Sequence, residues 1–278
     1  MNDIEQLKQD VHWSALARQY LSIPGPLRLV AEDVEMYSKP VNAWLSQHSK
    51  PRVLILGVTP EFYKMPWPEG TDILAVDRSE RMLNEIWPGT ESQTMCADWV
   101  NMALKEGSRD IAFCDGGLTL LKYSQQLVQL AKVLRTTLSK HGLFAVRIFE
   151  HGQVFESPAS VMEEFLNGQI ANSSLLKFRL ALAMNDTVKS GVNLGAIWRY
   201  YSACIPGPEK LAALTGWTDT ELKTIDTYKE SKEQYYFPSI DDLCDIFCGP
   251  NAGFECDSVQ TPTYPFSEHT KVVTFKRI

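Results

Sequence analysis

The chain has 278 residues, 44% of them hydrophobic and 22% charged, with a net charge of -7. That length gives one large domain or two small ones of ordinary globular composition. The acidic balance argues against nucleic acid as a partner, which needs clustered Lys and Arg, and no apolar run reaches the length of a membrane span.

The N-terminus, "MNDIEQLKQDVHW", is polar and amphipathic and lacks the apolar core of a secretion signal. Six cysteines (Cys96, Cys114, Cys204, Cys244, Cys248 and Cys256) are scattered along the chain, two of them inside apolar runs. This usage predicts a reduced cytoplasmic protein rather than a disulfide framework. "IEQLKQDVHWSALARQYL" spaces its apolar residues as a helix does, and Pro24-Gly25-Pro26 ends it. "LRLVAEDVEMY" and "VNAWLSQ" follow, separated by Pro40, so residues 1–50 read as a helical extension. "IPGP" occurs at 23–26 and again at 205–208, as repeated turn chemistry with nothing alike around it.

Over residues 51–150 short apolar runs alternate with helical segments. Strands are expected at Val53–Leu56, Ile73–Val76, Thr94–Cys96, Ile111–Cys114 and Leu143–Phe149. Between the last two, Leu127, Leu130, Leu134 and Leu138 recur on one helix face, with His141-Gly142 as the stop. Such alternation implies a parallel sheet covered on both faces. Residues 151–245 lose the strand signal and become helical and rich in Tyr and Trp, and 151–252 read as a helical insertion. Strands return at Phe254–Val259 and Val272–Phe275. The link between them is too short for a helical crossover, so an antiparallel hairpin is expected.

The strand ends carry the candidate chemistry. "VLIL" stops at Gly57, which lets a backbone approach a ligand closely, and Val58 leads into Thr59 as an N-cap. Pro60 and Glu61 then open a short helix whose N–H groups suit a carboxylate or phosphate. Asp77 follows Gly57 by 20 residues at the end of the second strand, where a carboxylate can accept from both hydroxyls of a ribose. Arg78 comes next, Ser79 reads as an N-cap, and Met82, Leu83 and Ile86 as a buried helix face. After the third strand, Asp98 can accept from an exocyclic amine beside the flat surface of Trp99. After the fourth, Asp115 and Gly116 can meet an ammonium group. One such acid is often only a helix cap; several at successive strand ends point to a nucleoside joined to an amino acid. A dinucleotide would want G-x-G-x-x-G, and positions 57–62 hold one glycine.

In this order, "VLILGVTPE", "ILAVDRSERML", "CADW", "IAFCDGGLTLL" and "GLFAVRIF" resemble a class I S-adenosylmethionine-dependent methyltransferase. The resemblance covers roughly 51–150 and 253–278. It is closest to a bacterial group with Gly-x-Thr-Pro-Glu in the first loop, and "EDVEMY" and "TIDTYKESKEQYYFPSIDDL" look like that group too. It implies a Rossmann-like sheet of seven strands, mostly parallel, with the last hairpin carrying the antiparallel strand. It further implies S-adenosylmethionine as cofactor, with Gly57 and Thr59 on its methionine part, Asp77 on the ribose, Asp98 on the adenine and Asp115 near the amino group. The whole chain then forms one methyltransferase domain, with residues 151–252 as a cap over the acceptor pocket.

Methyl transfer needs proximity and orientation more than a fixed residue. Glu150 and His151 follow the fifth strand, and His151 either takes a proton from an acceptor or caps the strand end. His141 reads as a cation at a helix C-terminus. Arg199, Tyr200 and Tyr236, with Tyr201, Tyr228 and Tyr235, either line a small-molecule pocket or pack helices. Cys244-x3-Cys248-x7-Cys256 lacks the paired halves of a zinc site, so no metal is expected. No Asn/Asp-Pro-Pro-aromatic tetrapeptide follows the fourth strand, which speaks against base or glutamine amides as acceptors. The expected function is methyl transfer to a small molecule. The alternatives are a non-catalytic S-adenosylmethionine sensor or partner subunit, and a nicotinamide or nucleotide-sugar enzyme.

Overall fold

The computed structural model describes Tyr20 and residues 23–151 and 156–278. The first helical reading, over "IEQLKQDVHWSALARQYL", lies almost wholly outside them. The chain forms two units. One holds Leu29–Glu150 with Pro238–Ile278 and is built on a sheet; the other lies within His151–Phe237 and is helical over its described residues. These boundaries differ from 50/51 and 252/253, because the helices at 31–45 and 240–247 pack on the sheet.

The sheet unit opens with α1, Ala31–Leu45, capped where the Val30 N–H donates to the Asp33 carboxylate at 3.0 Å. Pro40 lies inside this helix rather than between two segments. Proline has no N–H to give the Met36 carbonyl one turn back. The Gln260 side-chain amide donates to that carbonyl instead, at 2.9 Å, and the helix runs on.

Then come β1 (Arg52–Leu56), the one-turn helix α2 (Pro60–Tyr63), β2 (Asp72–Asp77), α3 (Glu80–Ile86), β3 (Thr94–Cys96) and β4 (Arg109–Asp115). Next are α4 (Gln125–Thr137) and β5 (Leu138–Phe149). α4 buries Leu127, Leu130 and Leu134 as expected. It stops at Thr137, four residues before His141, and Leu138 belongs to the strand. Leu138 fits both the helical spacing and a strand core, and pairing with Arg109 decides for the strand. His141 therefore caps no helix; it takes a left-handed turn at φ +64° within β5.

In the helical unit α5 (Pro158–Leu166), α6 (Ser173–Ala183), β6 (Val192–Asn193), α7 (Leu194–Cys204), α8 (Pro208–Thr215), α9 (Asp219–Lys223) and β7 (Gln234–Tyr235) follow. β6 and β7 pair as a two-residue antiparallel ladder that the sequence reading lacked. Two residues cannot display a period of two.

The chain returns to the sheet with α10 (Ile240–Phe247), β8 (Phe254–Gln260) and β9 (Thr270–Arg277). The sheet has seven strands in the order β3-β2-β1-β4-β5-β9-β8. β8 and β9 form the expected antiparallel pair, and β9 also runs against β5. Strand order reverses between β1 and β4, which pair in parallel. In open sheets of this kind, that reversal opens a crevice at the carboxyl ends of the strands. One face is filled by Leu54, Leu56, Ala112, Phe144 and Phe275 against α4 and α10. On the other, Tyr37, Phe62 and Phe113 pack ring on ring, with centroids 4.6–5.6 Å apart.

Candidate functional site at the carboxyl edge of the sheet

β1 ends at Leu56, and Gly57 turns the chain at φ +95°, a conformation that side chains resist. Its N–H donates to the Val76 carbonyl at 2.8 Å. A Cβ there would lie 3.4 Å from the Trp99 ring and 3.9 Å from Asp77 Oδ2. Gly57 thus leaves space shared by an indole and a carboxylate. Trp99 is fixed because its Nε1–H donates to the same Val76 carbonyl at 2.7 Å. The same six-membered ring of the indole crowds Gly117, where a Cβ would be 2.7 Å from Cη2. The indole therefore spans the reversal point, from the end of β1 to the loop after β4. Val58 and Thr59 are buried; Thr59 stands at the N-cap of α2 with Pro60 next, as expected.

Asp77 closes β2. Its Oδ1 accepts from the Ser79 N–H at 2.8 Å, and Ser79 Oγ caps α3 by accepting from the buried Met82's N–H at 3.3 Å. No side-chain donor among the described residues reaches the Asp77 carboxylate. Burial pushes its carboxyl up to about 6, against the opposing effects of the Ser79 N–H and the exposed Arg78. Asp98 is exposed, and its oxygens accept from the Val100 N–H at 3.2 Å and Asn101 Nδ2 at 3.0 Å.

Asp115 ends β4 facing a charge that the sequence reading passed over. Arg147 of β5, fully buried, grips Asp115 with Nε at 2.6 Å and Nη2 at 3.3 Å. Its Nη1 donates to Asp33 of α1 at 2.8 Å. Tyr264 donates to Asp33 Oδ1 at 3.0 Å. Tyr37, one turn after Asp33, inserts its hydroxyl between the two strands. It accepts from the Arg147 backbone N–H at 2.5 Å and donates to the Cys114 carbonyl at 2.7 Å. Burial raises the Asp115 carboxyl and the guanidinium opposes it, while Asp33 and Glu61 push it further up. Burial by itself would lower Arg147; the two aspartates hold it above its usual value instead. The trio of Asp33, Arg147 and Asp115 carries one negative charge more than it balances. Gly116 follows at φ +63°, with the Phe149 ring filling the place of a Cβ. The sequence signal for this network was Arg147 itself, a charge inside the apolar run "LFAVRIF".

The other candidates are dispersed. Glu150, half-buried, accepts from the Ile240 N–H at the start of α10 at 3.1 Å and lies 3.8 Å from Lys271 Nζ. In the helical unit His151 Nε2 lies 3.0 Å from Asn185 Nδ2 and stands edge-on to Phe237. Arg199 is exposed, while Tyr200 and Tyr236 are half-buried, and no hydrogen bond among the described residues joins the three. No trio of His, Cys, Asp or Glu among the described residues could hold a metal ion, and none of their helices is long and apolar enough to cross a membrane.

No family model and no curated protein matches the chain. Solved structures share its fold. A Rhodobacter sphaeroides protein described as a Zn-dependent alcohol dehydrogenase is 12% identical, with a TM-score of 0.61 over 98% of each chain. The 1,6-didemethyltoxoflavin-N1-methyltransferase of Burkholderia thailandensis, solved with 1,6-didemethyltoxoflavin and S-adenosylhomocysteine, is 11% identical. Its TM-score is 0.53, over 98% of this chain and 88% of that one. Magnesium protoporphyrin IX methyltransferase of Synechocystis, with bound S-adenosylhomocysteine, is 11% identical, with a TM-score of 0.52 over 99% of this chain and 100% of that one. At such identities the likeness is one of fold, and that fold is the seven-stranded, Rossmann-like sheet of class I methyltransferases.

Proposed function

We propose that this chain is an S-adenosylmethionine-dependent methyltransferase acting on a small organic molecule. The observation that carries the reading is the grouping of Gly57, Asp77 and Trp99 at the carboxyl edge, next to the reversal point. A nucleoside fits these residues. The Asp77 carboxylate has no side-chain partner and accepts from two ribose hydroxyls; Gly57 leaves room beside it, and Trp99 offers an apolar face. A pyrophosphate is poorly served, since one glycine and a one-turn helix supply few N–H groups.

Asp98 stands at the exposed edge, where its remaining lone pairs can accept from an exocyclic amine. The excess negative charge of the Asp33–Arg147–Asp115 trio favours an ammonium group at Asp115. Gly116, Val58, Thr59, Arg78 and Met82 complete the surround. The bound cofactor supplies an electrophilic methyl group on a sulfonium. The chain's own part is to bind, orient and exclude water, with no metal ligand or nucleophile required of it. Where the acceptor must lose a proton, His151 is the candidate base, with Glu150 the adjoining carboxylate. Arg199, Tyr200 and Tyr236 of the helical unit are candidates for acceptor contacts. Six free thiols support a reducing, cytoplasmic setting.

The test is calorimetric titration of S-adenosylmethionine and S-adenosylhomocysteine into the parent protein and Asp77→Ala. Hydrogen bonds to a charged acceptor are worth about 1.5–3 kcal/mol each, so losing two weakens binding roughly 100-fold or more. Equal binding by the variant, or no binding by the parent, refutes the assignment.

A further inference from the structure

The helical unit buries polar groups that its own fold leaves without partners. α6 is covered on almost every side. It carries Ser174 and Lys177, three residues apart and so on neighbouring positions of one face, and Asn185 follows its C-terminus. Lys177 is 4% exposed. Its Nζ lies 5.6 Å from the centroid of the Tyr228 ring, and no carboxylate, hydroxyl or carbonyl among the described residues accepts from it. Burial alone pushes this ammonium down to about 8. Ser174 Oγ is buried with no hydrogen-bond partner, and so is Asn185 Oδ1.

The neighbouring cation shows that acids are not lacking. Arg179, two residues further along α6, is paired with both Glu156 and Glu164. A wall of rings runs beside the unpaired groups. Tyr228 meets Tyr235 at 6.3 Å, Tyr235 meets Phe237 at 6.4 Å, and Phe237 meets Phe178 at 6.4 Å and His151 at 6.0 Å.

Native folds pair nearly all their buried polar groups, so a cation, a hydroxyl and an amide oxygen left unpaired on and just after one helix mark a place for a ligand. We propose that Lys177, Ser174 and Asn185 form the seat of an aromatic hydroxy acid. Its carboxylate lies on Lys177 and Ser174, its ring against the aromatic wall, and its hydroxyl on Asn185 Oδ1. One ammonium balances one negative charge, so a monocarboxylate fits better than a dianionic phosphate ester. Six helical residues, about 9 Å of rise, carry the chain from Lys177 to the end of α6 at Ala183, and Asn185 lies two residues beyond, a span that suits a ring with a short acid side chain. That this acid is the methyl acceptor rests on the methyltransferase reading above; the site itself does not.

The experiment titrates 4-hydroxycinnamate, and separately its amide, into the full chain by calorimetry, with S-adenosylhomocysteine as an independent titration. The expected result is saturable binding of the acid, at least about tenfold tighter than that of the amide. In Lys177→Met the preference for the acid disappears, while S-adenosylhomocysteine binds as in the parent. Acid and amide binding alike to the parent, an undiminished preference in Lys177→Met, or no saturable binding of the acid would each overturn the proposal. The acid-to-amide comparison in the parent needs no variant, so misfolding of Lys177→Met cannot mask the outcome. Lys177-dependent binding of the acid without any binding of S-adenosylhomocysteine would refute the methyltransferase reading and leave the acid site standing.

Discussion

Each unit buries a cation, Arg147 in one and Lys177 in the other, and the two are treated in opposite ways. In the sheet unit Arg147 is answered by Asp33 and Asp115, and Asp110 by Arg52 and Ser139, at distances of 2.6–3.3 Å. In the helical unit Arg179 is answered in the same way, but Lys177 is not. Pre-paired charges fix geometry before a ligand arrives. They hold the end of β4, with Asp115 on it, in one position relative to β5 and α1. An unpaired buried ammonium does the reverse, staying uncompensated until something anionic binds.

The largest effect should come from unbalancing the sheet unit. Arg147→Met leaves two carboxylates buried together and is expected to destabilise the fold by about 3–5 kcal/mol in urea unfolding. Adding Asp33→Asn and Asp115→Asn to it should restore a large part of that loss; no restoration would mean that packing, not charge, is what Arg147 supplies. Tyr37→Phe orphans the Arg147 N–H and the Cys114 carbonyl between β4 and β5, with an expected loss of about 1–3 kcal/mol by the same measurement. If Tyr37→Phe unfolds like the parent, the hydroxyl wedge is not part of what holds the strand ends.

A third test concerns Asp77, whose two oxygens act purely as acceptors, and accept most strongly, only when it is ionised. Its folded carboxyl titrates at about 6. Cofactor affinity should be level above that pH and fall about tenfold per pH unit below it, as the protonated form comes to dominate. Asp77→Asn should abolish this slope, and a slope of the same size in the variant would assign the titration elsewhere. Smaller still, Gln260→Leu removes the donor that serves the Met36 carbonyl opposite Pro40. About 1 kcal/mol of stability should go, and adding Pro40→Ala should return part of it by restoring the helix's own bond. On the helical side, Lys177→Met should leave the melting temperature equal or higher, since it removes a charge that nothing balances; a clear fall would show that the ammonium has a partner in the fold.

Much of this was legible in the chain. Apolar runs alternating with a leucine-faced helix determined a parallel sheet, and the spacing of Gly57, Asp77, Asp98 and Asp115 placed each at or just after a strand end. These are local signals: a run of β-formers stops, and a turn or cap residue follows. Tertiary structure decided the rest. Leu138 satisfies helix and strand alike until Arg109 pairs with it. Pro40 breaks a helix unless Gln260, 220 residues away, answers Met36. Arg147 reads as an anomaly in an apolar strand until α1 brings Asp33 and β4 brings Asp115 to it. Lys177 reads as an ordinary helical lysine until packing buries it against Tyr228. Sequence records which groups must find partners, and only the packed fold shows which of them have done so.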